Sequence, residues 1–400
     1  MKYWGLISVI LMSAACGLTE LEVGSASGGG TGGVWGDLPQ EGEADGFRQT
    51  CYMTVFDYQK GYDWKANQGK ESVRCSLVVY VDGKQKMKVP VGESYETGDD
   101  PDMHRILDGH LYTDYSTDSE TVIRKDGKLL FRYKGRESIR GMAVRGEDVY
   151  TLGQDRSGDG FSYRRNGEPL ISRETGTVLG SLRVQDDSIS FAFCESIHSA
   201  EGIIERYYHV NDGKINQVAV RDDIIKVWDI AAGPESSIYL ASVTGVASPV
   251  LFLGDSMTAL PLPQGAVPVS ASLFSTPDNC CVELIYRHGI SFHTIIWING
   301  VIVTPFGPGM TIVSLCMLDN QVCCVSNPSD KDSAGCIYRC GDRYDMPEGF
   351  VCMGNNTISM VNGLLHVGLS PAAGGSPVLW KDGQVDTLRI NGYIASITVQ

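Results

Sequence analysis

The chain has 400 residues, of which 42% are hydrophobic and 20% charged, with 47 glycines against 16 prolines. This composition excludes a disordered chain, a collagen, a coiled coil and a protein with many membrane spans, and it is typical of a turn-rich β protein. The formal net charge is −15, and the basic residues cluster only as pairs such as Arg164-Arg165, so we expect no nucleic-acid partner.

The first 16 residues, MKYWGLISVILMSAAC, have the layout of an export signal. Lys2 supplies a positive charge, and the apolar run over residues 3–12 is shorter than the roughly 20 residues that a membrane-spanning helix needs. The small residues that end at Cys16 resemble the lipobox of bacterial lipoproteins, although Ser13 stands where that motif usually has Leu. The resemblance implies a signal peptide over residues 1–15 and a lipid on Cys16. Secretion without a lipid is the alternative.

Residues 16–49 are rich in Gly, Ser and acidic residues and show no periodicity. Such a segment is typical of a flexible tether. We therefore expect a folded domain over residues 50–400, attached to a membrane only through the lipid anchor.

A repeated unit runs through the folded domain. Each unit ends in a β-rich run, a tight turn and a second run, as in VVYVDGKQKMKV and VIRKDGKLLFRY. Asp-Gly and Asn-Gly turns predict β-hairpins, because a type I′ turn needs positive φ at both central residues. Successive turn glycines are 44, 40, 46, 41, 46, 41 and 42 residues apart: Gly83, Gly127, Gly167, Gly213, Gly254, Gly300, Gly341 and Gly383.

Each unit also has two strands upstream of its hairpin, which predicts the order A, B, variable loop, C, D. The first unit lacks an A strand, while the chain ends in an unpartnered apolar run over residues 393–399. Pairing the two would close a ring and hide the sheet edges. We therefore predict an all-β fold, an eight-bladed β-propeller closed by a C-terminal strand that joins the N-terminal blade. Seven blades is the alternative, because the GDS and CGD units are the least regular.

The repeat and the lipobox-like signal together resemble the uncharacterised β-propeller lipoproteins of the Gram-negative cell envelope. The resemblance implies a location in that envelope, on the outer membrane or facing the periplasm, and it implies no particular activity. The alternative location is outside the cell, after secretion. We expect the protein to be a monomer.

In such a ring, the B–C and D–A connections lie on one face, which propellers commonly use for binding. The longest B–C loop, residues 59–73, has aromatic and basic residues that suit a sugar or a peptide, or that pack on the ring itself. Other B–C loops carry histidine and acidic residues. The candidate ligand-binding residues are Tyr62, Trp64, Lys65, Asp155, Asp159, His198, Glu201, His288 and His293.

Two motifs resemble parts of known functional sites, but neither site is complete in the sequence. Gly254-Asp255-Ser256 resembles the first block of GDSL esterases, but the Asp-x-x-His block that supplies the base is missing, so we interpret it as a turn. The spacing of Asp155 and Asp159, like residues 99–102, is faintly similar to a calcium loop. Solvated turns are the preferred interpretation, and a calcium site is the alternative.

The chain has 12 cysteines, and six of the eleven beyond Cys16 lie in or just after the seventh unit: Cys316, Cys323, Cys324, Cys336, Cys340 and Cys352. We interpret the cysteines mainly as buried apolar thiols. A disulfide, either Cys51–Cys75 or a B–C pair in the seventh blade, and a zinc site are the alternatives.

The sequence contains no complete catalytic set. We therefore expect a binding or scaffold module for a glycan, a peptide or an envelope protein rather than an enzyme. The alternative is a propeller hydrolase or lyase acting on polysaccharide or peptide, which would need carboxylates and histidines to converge on one site.

Overall fold

The computed structural model describes most of the chain from residue 49 onward. The described residues are 49–60, 62, 75–91, 103–116, 119–156, 160–185, 188–199, 202–232, 237–254, 256–275, 280–289, 291–299, 301–302, 311–318, 321–327, 335–339, 342–353 and 356–400. The predicted signal peptide, Cys16 and nearly all of the tether lie outside these residues. Within them, the regular structure is entirely β-strand. No helix among them could cross a membrane.

The first fifteen strands build three strands of blade 1 and all of blades 2, 3 and 4. They are β1 (Cys51–Tyr58), β2 (Cys75–Val81), β3 (Lys84–Val91), β4 (Met103–Leu107), β5 (His110–Ser116), β6 (Glu120–Lys125), β7 (Lys128–Lys134), β8 (Glu137–Arg145), β9 (Asp148–Asp155), β10 (Phe161–Arg165), β11 (Glu168–Arg173), β12 (Thr177–Gln185), β13 (Ser188–Ser199), β14 (Gly202–Asn211) and β15 (Lys214–Val218).

The remaining strands build blades 5 to 8 and complete blade 1. They are β16 (Ile224–Ala232), β17 (Ser237–Val243), β18 (Val250–Leu253), β19 (Ser256–Ala259), β20 (Val267–Ser275), β21 (Cys280–His288), β22 (Ser291–Ile298), β23 (Val301–Ile302), β24 (Thr311–Leu318), β25 (Gln321–Asn327), β26 (Cys336–Arg339), β27 (Asp342–Asp345), β28 (Phe350–Val351), β29 (Ile358–Val361), β30 (Leu364–Pro371), β31 (Val378–Lys381), β32 (Gln384–Thr387) and β33 (Gly392–Val399).

These strands form eight antiparallel sheets within the described part of the chain, one for each predicted repeat. Seven sheets have four strands in the order A to D, and in the eighth the inner position is divided between β28 and β29, which both pair with β30. The GDS unit forms the hairpin β18–β19 and the CGD unit the hairpin β26–β27. The fold is therefore the predicted eight-bladed β-propeller, and the seven-bladed alternative is wrong.

The ring closes as the sequence predicts. In blade 1 the strand order is β3-β2-β1-β33, so the C-terminal strand supplies the inner strand beside β1. The side chains of Thr54 and Ser396 form a buried hydrogen bond across this pair. Backbone hydrogen bonds between Thr50 and Gln400 extend the pairing beyond the strand ends.

Apolar clusters fill the interfaces between blades. The described residues contain eight such clusters, each drawn from two successive blades, including the interface between blades 8 and 1. The bulky residues Trp297 and Tyr163 are fully buried in two of them. Because every blade packs on both neighbours, burial of apolar area stabilises the whole ring.

The C–D turns have the backbone conformation that their Asp-Gly and Asn-Gly pairs predict. In blade 3, for example, φ is +51° at Asn166 and +85° at Gly167. Only residues that tolerate the left-handed region fit both positions of such a turn.

The described cysteines are thiols. The buried ones confirm the interpretation as apolar core residues: Cys280, Cys281, Cys323, Cys324, Cys336 and Cys352.

The alternative of a disulfide between Cys51 and Cys75 is wrong, because the two residues lie near opposite ends of the β1–β2 pair. Cys75 is opposite Tyr58, whereas the residue after Cys51 is opposite Val81. At about 3.3 Å per residue, their Cα atoms are far beyond the roughly 7 Å that a disulfide can bridge.

A B–C disulfide in blade 7 is also wrong for the described cysteines. Cys323 and Cys324 stand opposite Arg339 and Tyr338 rather than opposite a cysteine. Cys340 lies outside the described residues.

Candidate functional site

The end of blade 3 carries a cleft on the face formed by the B–C and D–A connections. Antiparallel order brings the start of β8, the end of β9, the start of β10 and the end of β11 to this face. The cleft has a volume of about 270 Å³. We call it the blade-3 cleft, and it is lined by Glu137, Asp155, Gly160, Phe161, Ser162, Arg173 and Glu174.

Gln154 fixes the two loops that border the cleft. Its amide nitrogen donates to the carbonyl oxygens of Gly160 (2.6 Å) and Gly176 (3.1 Å). Its amide oxygen accepts from the backbone N–H of Val178 at 2.8 Å. One buried side chain therefore joins the B–C connection of blade 3 to the connection that leads into blade 4.

Gly160 allows the two loops to pack directly on each other. Its φ is +124°, and a side-chain carbon there would lie 2.7 Å from the carbonyl oxygen of Arg173 and 2.9 Å from that of Glu174. A larger residue would therefore push the B–C connection away and open one wall of the cleft.

Glu137, which lines the cleft, belongs to a buried ion pair with Arg164 that we call the cleft floor. Arg164 donates to Glu137 Oε1 at 2.9 Å, and the two side chains are only 12% and 8% exposed. The Arg164 guanidinium also stacks on the ring of Tyr133, 4.1 Å from its centroid. Burial and the nearby Glu137 carboxylate raise the pKa of Tyr133, so its hydroxyl stays protonated.

The rim of the cleft is more exposed and carries both signs of charge. Asp155 and Glu174 are exposed, whereas Arg173 is held by Glu195 of blade 4 at 3.0 Å. Of the three carboxylates that line the cleft, Glu137 is paired with Arg164, and the one lining arginine, Arg173, is paired with Glu195. Asp155 and Glu174 are the exposed acidic residues of the rim. This arrangement favours a ligand that brings a positive group.

Two predicted residues, His288 and His293, do come together on blade 6. Their ring centroids are 6.4 Å apart, and His293 stacks on Tyr286 at 5.1 Å. Burial and the neighbouring His288 lower the pKa of His293. This pair shares the face of the blade-3 cleft but lies three blades away along the ring.

Other predicted residues are separate or outside the described part of the chain. Asp155 lines the blade-3 cleft. Tyr62 belongs to blade 1, where it stacks on Tyr58 at 5.9 Å and its carbonyl accepts a hydrogen bond from Asn391. Four more lie outside the described residues: Trp64, Lys65, Asp159 and Glu201. His198 is in β13, and its side chain is not among the described ones.

Sequence reasoning missed the residues that build the cleft, chiefly Glu137, Gln154 and Arg164. A charged residue at the start of an inner strand, where neighbouring blades have apolar or small residues, is the signal that could have identified Glu137. Gln154 carries no such signal, because its three partners are backbone groups set by the fold.

Glu283 of blade 6 is the one described acid whose pKa is raised to about 7, and the cause is burial. It stands on β21, opposite Ser272 of the inner strand and Ile296 of β22. A carboxyl group of this kind can hold or release a proton near neutral pH.

The structure offers no metal centre among the residues it describes, since none of their His, Cys, Asp and Glu side chains form a group of three or more suited to an ion. The calcium hypothesis includes Asp159 and residues 99–102, which lie outside the described ranges.

No family model and no curated protein sequence matches the chain. Solved structures do match. Dihydro-heme d1 dehydrogenase NirN in complex with DHE is 12% identical, with a TM-score of 0.50 over 86% of this chain and 74% of that one. The β-propeller domain of the Trilobed protease from Pyrococcus furiosus is 12% identical, with a TM-score of 0.44 over 68% and 86%.

A peptidase also matches over part of its length. Acylaminoacyl peptidase from Pyrococcus horikoshii is 10% identical with a TM-score of 0.46, and the match covers 80% of this chain but 56% of the peptidase. At such identities the likeness shows the β-propeller fold alone.

Proposed function

We propose that this propeller is a binding module and that its blade-3 cleft takes a basic side chain of a peptide. The observation that carries the proposal is the acidic lining of the cleft, where the exposed Asp155 and Glu174 and the buried Glu137 are among the residues that line a volume of about 270 Å³. Such a volume suits one side chain better than an oligosaccharide. A guanidinium group is planar and pairs with carboxylates through two parallel hydrogen bonds, so arginine fits best.

Of the glycan, peptide and protein partners that the sequence leaves open, a peptide or protein segment with a basic side chain fits the cleft best. A basic segment of an envelope protein would offer the cleft the same basic side-chain group that a free peptide offers. The rigid floor supports selectivity, because Glu137 is already oriented by Arg164 and does not need to be ordered when the ligand binds.

Binding can be tested with a blocked Gly-Arg-Gly peptide and a Gly-norleucine-Gly peptide of similar length, by calorimetric titration. We expect binding of the arginine peptide only, and at least a tenfold loss of affinity for Asp155→Asn. Asp345→Asn is the matched control, because Asp345 is an exposed carboxylate at the end of β27. Equal binding of the two peptides, or an equal loss in the two variants, would refute the proposal.

We further propose that Cys16 carries a lipid and holds the propeller in the cell envelope. The support is the export-signal layout of residues 1–16. In a Gram-negative host, the chain should fractionate with membranes, and Cys16→Ser should release it or leave the precursor unprocessed. Unchanged membrane association of Cys16→Ser would contradict the anchor.

A hydrolase is the second candidate, and Glu283 is the observation that favours it. A carboxyl group with a pKa raised to about 7 can act as a general acid at neutral pH. Any hydrolysis of peptide or polysaccharide substrates that depends on this group should fall at least 100-fold in Glu283→Gln. Activity that survives this substitution would exclude Glu283 as the acid.

A further inference from the structure

Blade 7 places two cysteines directly opposite each other in its inner hairpin. Cys316 of β24 pairs with Cys323 of β25. Opposed residues of an antiparallel pair have Cα atoms about 4.5 to 5.5 Å apart, which falls within the range of about 4.4 to 6.8 Å that disulfides bridge. Their side chains also leave the sheet on the same face.

This register is distinctive among the described strands. The other described cysteines in strand pairs stand opposite residues of other types; Cys194 is opposite Thr177 and Tyr207, and Cys281 is opposite Phe274 and Ile298. Cys324, next to Cys323, stands opposite Leu315 and faces blade 6 instead.

The two thiols share one environment. Both pack in the apolar cluster between blades 7 and 8, where Cys323 is fully buried and Cys316 is half-buried. A reagent in solution therefore reaches Cys316 first, and Cys323 lies behind it as the neighbouring thiol.

We infer that Cys316 and Cys323 form a cross-strand disulfide when the protein meets an oxidising thiol–disulfide pool. This bond would join the A and B strands of blade 7 covalently and close a short loop over residues 316–323. It differs from the Cys51–Cys75 and B–C pairs that the strand registers exclude.

The reaction needs a disulfide as oxidant, and oxidised glutathione serves as the probe. The Cys316 thiolate attacks one glutathione sulfur, which breaks that S–S bond, forms a mixed disulfide and releases one glutathione thiolate. The Cys323 thiolate then attacks the Cys316 sulfur and releases the second glutathione. The two cysteine thiols lose two protons and two electrons, and one glutathione disulfide becomes two thiols.

Cys352 is the rival partner, because it lies in the same apolar cluster. It belongs to the segment that leads into blade 8, and its sulfur lies 2.7 Å from the hydroxyl of Thr357. A peptide map separates the two possibilities. A bond to Cys352 would join the Cys352 peptide to a peptide of the hairpin, whereas a Cys316–Cys323 bond would leave the Cys352 peptide separate.

The experiment uses the purified full-length chain in buffers of increasing oxidised-to-reduced glutathione ratio. Remaining thiols are alkylated with N-ethylmaleimide in acid-quenched, denatured samples. A protease that cleaves before Asp319 separates the two cysteines, so a disulfide leaves their peptides joined. We expect the joined pair to become the major form in the oxidising buffers and to disappear with dithiothreitol.

Variants test the order of the steps. Cys323→Ser should accumulate glutathione on Cys316, whereas Cys324→Ser, the matched neighbour, should keep the joined peptides. Two results would overturn the inference. In one, Cys316 and Cys323 of the wild-type chain are still fully alkylated after incubation in the oxidising buffers. In the other, either of them is linked to Cys352.

Discussion

At the scale of single residues, the cleft floor depends on a charge that is buried and paired. Removing one partner of a buried ion pair leaves the other charge without compensation, which is more damaging than the loss of an exposed pair. Glu137 and Arg164 form a buried ion pair. Lys88 and Asp57 form a more exposed pair, in which the Lys88 side chain is 50% exposed.

We expect Glu137→Gln to lower the free energy of unfolding by about 3 kcal/mol, because Arg164 would remain buried beside a neutral amide. Lys88→Met is the control and should lower it by less than about 1 kcal/mol. Urea denaturation of both variants measures the difference. Similar small losses in the two variants would show that the cleft floor is not held by this ion pair.

Two buried histidines should make the folded protein less stable in acid. Burial, assisted by the nearby Arg183, lowers the pKa of His209 to about 4, below its ordinary value near 6.5. The folded state therefore binds fewer protons than the unfolded state between these values, and the free energy of unfolding falls as the pH drops from about 6.5 to about 4. His104, whose pKa burial also lowers to about 4, acts in the same direction.

His209→Gln should remove part of this pH dependence. Urea unfolding at pH 7 and pH 5 measures it, and the wild-type chain should lose more stability between the two values than the variant does. An unchanged difference between pH 7 and pH 5 in the variant would contradict the lowered pKa.

At the scale of elements, the C–D turns do more than reverse the chain. Among the described residues, the first turn residue of six blades accepts a side-chain hydrogen bond from a backbone N–H at or next to the start of the B strand. Its own N–H donates to the carbonyl of that same B-strand residue. In blade 1, Asp82 makes both bonds with Cys51, at 3.0 and 2.9 Å. The turn residue therefore joins the outer hairpin to strand B.

This contact explains why the repeat uses Asp or Asn rather than Gly at that turn position. Asp82→Gly keeps the turn conformation but loses the side-chain acceptor, so it should lower the free energy of unfolding by about 1–2 kcal/mol. Asp82→Asn keeps the acceptor and should stay within about 0.5 kcal/mol of the wild-type chain. Equal effects of the two substitutions in urea denaturation would count against the hydrogen bond.

The elements were largely predictable, because the hairpin turns and alternating apolar runs are local signals. Sequence did not predict the division of the inner strand of blade 8 into β28 and β29, since the segment between them is shaped by contacts with other blades. There, the backbone of Asn356 bridges to β33 of blade 1.

At the scale of the whole molecule, stability depends on the strand that closes the ring. Gly392 begins β33, and a side-chain carbon there would overlap the carbonyl oxygen of Phe56 in β1. Gly392→Ala should therefore separate this end of the strand pair and lower the free energy of unfolding by about 1–3 kcal/mol. Thr398→Ala, on the same strand at a partly exposed position, is the control and should have a smaller effect. Equal losses would contradict a closure that depends on close strand contact.

The candidate site was harder to predict than the fold, for a physical reason. The residues around the blade-3 cleft come from four strand ends and two connections that converge only when the sheet of blade 3 forms. Asp155 was predicted because acidic loop residues are visible in sequence, whereas Gln154 and Glu137 acquire their roles from backbone groups and a buried arginine supplied by the fold.

Hydrogen exchange with and without the blocked Gly-Arg-Gly peptide tests the account most directly, because it shows both the face and the blade that bind. We predict slower exchange confined to the connections around the blade-3 cleft, residues 153–156 and 160–178, with the C–D turns on the opposite face unchanged. Slower exchange at those turns, or at His288 and His293 of blade 6 instead of blade 3, would contradict it.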